Sequence, residues 1–252
     1  MSFNVPADAY ARFMGQYAEP LARQFVELAD VQSGQQALDV GCGPGALTAQ
    51  LVERLGVDAV AAIDPSAPFV AAVRSRIPGV DVRSGVAEEL PYPVDSFDRT
   101  LAQLVVHFMT DPVAGLREMA RVTNPGGLVA ACVWDHAGGS GPLATFWQAV
   151  LESDPSAHDE SDLAGAREGH LAELCAAAGL AHIESSRLTV GVRFATFEDW
   201  WEPYTFGVGP AGAYVGTLDE DGRETLRARC AQQLPAGPFE VIASAWAVRA
   251  RV

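Results

Sequence analysis

The spacing of apolar residues changes several times along the chain, and each change predicts an element. Tyr10, Phe13, Met14 and Tyr17 recur three and four apart, and Leu21, Phe25, Val26, Leu28 and Ala29 carry the pattern past Pro20. The first thirty residues therefore read as helical. From residue 36 onward, apolar runs at 36–41, 58–63, 80–84, 98–105 and 127–134 alternate with helix-period stretches at 46–55, 66–76 and 112–122. This alternation of strands and helices predicts a doubly wound parallel sheet covered on both sides, of α/β class. Such sheets bind ligands at the carboxyl ends of their strands.

Beyond residue 135 the alternation loosens. Residues 138–142 form a glycine-rich turn, 143–151 read as a helix, and 152–162 are polar enough for the surface, so 137–162 reads as an insertion. A helix over 168–178 stopped by Gly179 leads to a strand over 181–192. Residues 196–235 then make a mostly helical excursion before a last strand over 238–249 closes the sheet.

Candidate chemistry concentrates where the first strand ends. Leu38-Asp39-Val40-Gly41-Cys42-Gly43-Pro44-Gly45 runs from strand into a glycine turn, and the helix that follows directs its first N–H groups back into that turn. Gly41, Gly43 and Ala46 also satisfy a dinucleotide fingerprint, with Asp64 about 20 residues on, where a ribose-binding acid belongs. Asp39 separates the two readings. A carboxylate beside the turn repels a pyrophosphate and attracts an ammonium or sulfonium.

Four further segments follow in order: 61–66 with Asp64 and Pro65, 84–91 with Val86, Ala87 and Glu88, 96–107 with Gln103, Leu104 and His107, and 121–127. With these, residues 36 to about 135 resemble the class I S-adenosylmethionine-dependent methyltransferases, in particular the small-molecule, ubiquinone-biosynthesis-like group. The resemblance implies a Rossmann-like seven-stranded sheet with an antiparallel last strand, S-adenosyl-L-methionine as cofactor, and SN2 transfer of its methyl to an oxygen, nitrogen or carbon acceptor. It implies that Gly41, Gly43 and Gly45 hold the methionine portion with Asp39 under its amino group. Asp64, with Pro65 after it, would accept from the ribose hydroxyls, or cap the next helix. Adenine would sit at Val86, Ala87 and Glu88. Relatives often carry Asp where this chain has Val86, and Glu88 or a water would replace it. Gln103 and Leu104 would offer backbone atoms near the methionine group. Tyr17 and Arg12 would fold across the cofactor, Arg12 meeting its carboxylate.

His107 after the fourth strand, and Asp135 and His136 after the fifth, are the candidate general bases at the ligand end of the sheet. No His-x-x-x-His or carboxylate cluster suggests a metal. One domain is expected over 1–252: a helical cap over 1–33, a cofactor core over 34–135, and a C-terminal half over 136–252 with cap insertions at 137–162 and 196–235. Trp200, Trp201, Tyr204, Phe206 and Tyr214 place the second insertion over the site in this reading.

Composition narrows the partners. A net charge of −15, from 32 acids against 17 basic residues, disfavours nucleic acid and anionic membranes. With 49% apolar residues and 19% charged, a sizeable core is expected. No apolar run reaches the roughly 18 residues of a membrane span, and the start does not read as a signal peptide. The four cysteines are scattered and read as buried thiols. These features predict a cytoplasmic enzyme acting on a small molecule, and leave the oligomeric state open. Two alternatives stand beside it: a protein of the same fold that binds the cofactor without methyl transfer, and an NAD-dependent oxidoreductase.

Overall fold

The computed structural model describes residues 7–252, so the first six residues of the expected N-terminal cap lie outside the described part. Its strands are β1 (Ala37–Val40), β2 (Val60–Asp64), β3 (Asp81–Ser84), β4 (Phe97–Gln103), β5 (Thr123–Trp134), β6 (Ala181–Phe194) and β7 (Phe239–Arg251). They form one sheet in the order β3-β2-β1-β4-β5-β7-β6. The pairs among β1 to β5 are parallel, and β7 runs antiparallel to both β5 and β6. This is the Rossmann-like topology expected from the sequence, with the reversed strand where the chain closes.

Helices cover both faces. The N-terminal arm is α1 (Ala7–Tyr10), a π turn over Ala11–Gly15 and α2 (Gln16–Leu28). The crossover helices are α3 (Ala46–Leu55), α4 (Ala67–Arg76) and α5 (Pro112–Val122). Later come α6 (Ala144–Leu151), α7 (His170–Ala177), α8 (Phe197–Trp201), α9 (Gly209–Thr217) and α10 (Glu220–Gln233). Among the described residues no helix is long and apolar enough to cross a membrane. All four cysteines are buried and unpaired.

Strand periodicity divides the core in two. In β5, Leu128, Ala130, Cys132 and Trp134 join the core that holds Leu21 and Phe25 of α2 and Leu47 and Leu51 of α3. Val129, Ala131 and Val133 face the other core, with Leu116 and Met119 of α5 and Leu171 and Cys175 of α7. Leu21 and Phe25 are fully buried, each stabilising the arm on the sheet by roughly 2 kcal/mol. Local signals fix the helix ends. The Asp111 carboxylate accepts from Ala114 N–H at 2.9 Å with Pro112 in the first turn of α5. Gly179 at φ +89° ends α7, with Leu180 N–H bonding Cys175 C=O and Gly179 N–H bonding Ala176 C=O.

Beside the site, element bounds differ from the sequence expectation at β4, read as 98–105 but ending at Gln103. Leu104 takes φ +60°, which breaks the extended chain while its N–H still bonds Cys132 C=O at 2.8 Å. A short 3-10 turn over Val106–Phe108 follows. At the other end of the sheet β5 begins four residues early, at Thr123, with a register shift opposite Phe97 and Arg99.

Candidate functional site

Strand order reverses between β1 and β4, and the loops leaving their carboxyl ends diverge there to open a crevice. The turn after β1 is tied to its neighbour: Gly41 N–H and Cys42 N–H both donate to Ile63 C=O, at 2.8 and 3.0 Å. Gly41 sits at φ +70°, and a Cβ there would lie 2.2 Å from Val105 Cγ2, so only glycine fits beneath the loop after β4. Gly43 N–H donates to Asp64 Oδ2 at 2.8 Å, and Ser66 N–H to Asp64 Oδ1 at 2.8 Å. Asp64 thus clamps the tip of the turn to the start of α4. Burial raises its carboxyl above the usual range, against the pull of these two N–H groups.

A cavity of about 350 Å³ occupies the crevice. On its wall Asp39 is wholly buried, and Thr48 Oγ1 donates to its Oδ2 at 2.6 Å. Its Oδ1 has no partner among the described residues. Burial, helped by the nearby Asp64 charge, pushes the Asp39 carboxyl up to about 7. Gln103 presents a second unmet acceptor: its amide nitrogen donates to Ala18 C=O at 3.0 Å, while its buried Oε1 is unpaired. Two buried oxygens without donors, in a wall with no arginine among the described residues, suit a ligand that brings N–H groups and positive charge.

The structure brings most of the expected cofactor residues together: Asp39, Gly41, Gly43, Asp64, Pro65, Val86, Ala87, Glu88, Gln103 and Leu104 all line this cavity. Gly45 stands behind it, opening α3 at φ +92°. Glu88 departs from the role expected of it. Its Oε1 accepts from Thr110 N–H at 2.7 Å and Asp111 N–H at 3.2 Å, so that oxygen fastens the loop before α5. Val86, 44% exposed, leaves the rim there without an acceptor side chain. Phe69, Phe108 and Met109 supply flat apolar walls that the motif reading missed. The signal for Phe108 and Met109 was their place after β4, at the ligand end of the sheet.

Arg12 and Tyr17 are not among the lining residues. Arg12 pairs with Glu202 and covers the Phe206 ring, at 4.7 Å from its centroid, so it ties the arm to the later excursion. Tyr17 is buried against Trp134 and Phe194. Its phenol is driven up by burial. From this turn of α2 it is Ala18 that reaches the cavity.

A smaller cavity of about 40 Å³ adjoins the first and shares Tyr10, Leu104 and Phe108 with it. His107 and His136 both line it, their rings 6.0 Å apart. Burial holds both imidazoles below their ordinary range, His136 at about 4. His107 Nδ1 and His136 Nε2 are buried without partners among the described residues. Asp135, grouped with them as a candidate base, lines neither cavity. Gly138 N–H and Ser140 Oγ donate to its two oxygens at 2.9 and 2.6 Å, and Arg187 lies 3.6 Å away, so it shapes the loop after β5. The acid that does line the small cavity is Glu160, which sequence patterning assigned to a polar surface stretch. It is 4% exposed, takes a hydrogen bond from Trp147 Nε1 at 2.9 Å, and burial pushes its carboxyl up to about 7.

The five aromatics expected over the site line neither cavity. Tyr204 stacks on Phe146 at 4.6 Å and meets Phe13 edge-on at 5.0 Å, fastening the excursion to the arm and to α6. The excursion reaches the small cavity through Val208, Gly209, Pro210 and Ala211, at the start of α9.

Residues 38–131 match the family model described as a methyltransferase domain. The chain is 33% identical over 144 residues to 2-methyl-6-phytyl-1,4-hydroquinone methyltransferase 2 of rice, covering 56% of this chain and 39% of that one. It is 29% identical over 188 residues to the demethylmenaquinone methyltransferase of Paenarthrobacter aurescens, covering 68% and 72%. In fold it is similar to the crystal structure of a putative methyltransferase from Bacillus halodurans, with a TM-score of 0.59 and 16% identity over 91% of this chain and 97% of that one. The chain spans about half the length of several other curated relatives it matches, and less of the rice protein.

Proposed function

We propose a small-molecule methyl transfer for this chain, which belongs to the class I S-adenosylmethionine-dependent methyltransferases. One observation carries the reading: the unpaired Asp39 Oδ1 and Gln103 Oε1 in the wall of the 350 Å³ cavity. They complement the ammonium of a methionine moiety, and no basic side chain among the described residues lines the cavity to hold a pyrophosphate. The turn at 41–45 and the arm at Ala18 would hold that moiety. Asp64 would take the ribose, and Phe69, Val86, Ala87, Phe108 and Met109 would flank the adenine. Bound there, S-adenosylmethionine supplies an electrophilic methyl on a sulfonium.

This chain's own part in the reaction is alignment and exclusion of water, which suffices for an SN2 transfer. Leu104, held at φ +60°, lies on both cavities and marks the passage between donor and acceptor. The apolar lining of the small cavity, with Phe13, Met14 and Leu143, supports a small apolar or aromatic acceptor. The whole of 1–252 acts as one domain in this reading, its insertions shaping the acceptor side. Calorimetric titration of the wild type and Asp64→Ala with S-adenosylmethionine, S-adenosylhomocysteine and NAD tests it. Adenosyl ligands should bind and weaken in the variant, whereas binding of NAD alone would overturn the proposal.

A further inference from the structure

The small cavity and the open groove beside it share two residues, His136 and Glu160. One Glu160 oxygen takes the Trp147 indole N–H, and the carboxylate lines the cavity as an acceptor. His107 Nδ1 and His136 Nε2 are buried and have no partner among the described residues. Since burial disfavours the imidazolium form of both rings, each offers a nitrogen lone pair rather than a positive charge. Three acceptors therefore meet around one cavity with aromatic walls from Phe13, Phe108 and Trp134.

All 17 basic residues of this chain are arginines, and none lines either the small cavity or the groove. The groove, about 600 Å³, instead carries Glu152 and Asp159 besides Glu160. An acceptor arriving as a carboxylate or phenolate would bring its charge beside a buried acid with no cation to offset it. A primary ammonium has three N–H donors, matches the three acceptors, and gains from the aromatic faces.

We propose that the methyl acceptor is an amine on an apolar body, seated by its ammonium head between Glu160, His107 and His136 with its body in the groove. This rests on the methyl-transfer reading. Glu160 takes a proton from the ammonium and frees the nitrogen lone pair. That pair forms the new N–C bond as the C–S bond breaks, its electrons staying on sulfur, and the positive charge ends on the methylated amine. Burial, which holds Glu160 near neutrality, suits it to this proton. The unpaired Trp134 indole N–H favours an oxygen instead.

The test is binding of benzylamine, benzyl alcohol and benzoate, followed by ligand-observed NMR on the free protein and on its S-adenosylhomocysteine complex. Benzylamine should bind at least about tenfold more tightly than either analogue, and Glu160→Gln should erase that preference while leaving benzyl alcohol unchanged. Equal or tighter binding of the alcohol or benzoate, no preference for the amine, or an unchanged preference in Glu160→Gln would each overturn the proposal. Should the variant not fold, the ranking on wild type decides alone. Calorimetry with S-adenosylhomocysteine on the same samples separates the two readings: failure of the adenosyl ligand to bind ends the methyl-transfer reading, whereas a bound adenosyl ligand with no amine preference ends only this one.

Discussion

The donor cavity and the acceptor cavity lie side by side but are built by different means. The first is made by consecutive loops at the ends of β1, β2, β3 and β4, and much of its surface is backbone: a glycine turn, two clamped N–H groups, a strained leucine. The second is assembled from the N-terminal arm, the loop after β4, residue 160 and the start of α9, and it is made of side chains. A backbone cradle needs particular residues at particular spacings, so it leaves a readable motif. A side-chain pocket needs only that distant segments meet, and that leaves none.

The sharpest way to break this contrast is at Gly41. Gly41→Ala sets a Cβ 2.2 Å from Val105 at a φ that L residues avoid, and should cost on the order of 3 kcal/mol together with cofactor affinity. Thermal unfolding and calorimetry read both. A variant as stable as wild type would mean that the backbone cradle is not rigid. Asp39→Asn should do the reverse. It keeps the shape but removes the charge, so S-adenosylmethionine affinity should fall about tenfold to a hundredfold by calorimetry. Since burial raises the Asp39 carboxyl, its charge destabilises the free fold at neutral pH, and the variant should melt no lower than wild type.

A smaller effect follows from titration. With Asp39 near 7 in the free protein, protonation below that pH removes the partner of the ligand ammonium, so affinity should drop by about tenfold per pH unit on the acid side. Above about 8 the ligand's own α-amino group loses its proton and affinity falls again. The optimum should therefore lie between about 7 and 8. In Asp39→Asn the acid limb should vanish while the alkaline limb stays. An acid limb that survives would assign the titration to another group, with Asp64 the first candidate.

How much was legible follows the same division. The run of strands and the bounds of α3 and α5 could be read because period and caps are local signals, the seven-stranded sheet with its reversed strand came with the family resemblance, and the switch point, which depends on strand order, gave no local sign. Asp39, Gly41, Gly43 and Asp64 could be read because the cradle fixes their spacing. Leu104 gave no sign of its positive φ, since nothing in a leucine favours it and the pairing with Cys132 and the packing around it impose it. Glu160 lay hidden in a polar run because its burial comes from Trp147, on a helix that folds back over it. Asp135 misled for the opposite reason. It sits where a base would sit, but a loop five residues long turns back and takes both of its oxygens.

Arg12 gives the finest test of where the two regions divide. The sequence placed it across the cofactor, and the structure places it on Glu202 and Phe206. Both partners of the ion pair are more than half exposed, at 57% and 51%, so Arg12→Ala should lower stability by no more than about 1 kcal/mol. S-adenosylmethionine affinity should stay within about twofold of wild type, since no charge leaves the cavity wall. The arm and the excursion meet through this pair and through Phe13 on Tyr204, and the acceptor cavity takes residues from both. A change confined to acceptor binding would therefore place the pair in the acceptor region. A fall in cofactor affinity would move the arm to the donor side and erase the boundary between the two.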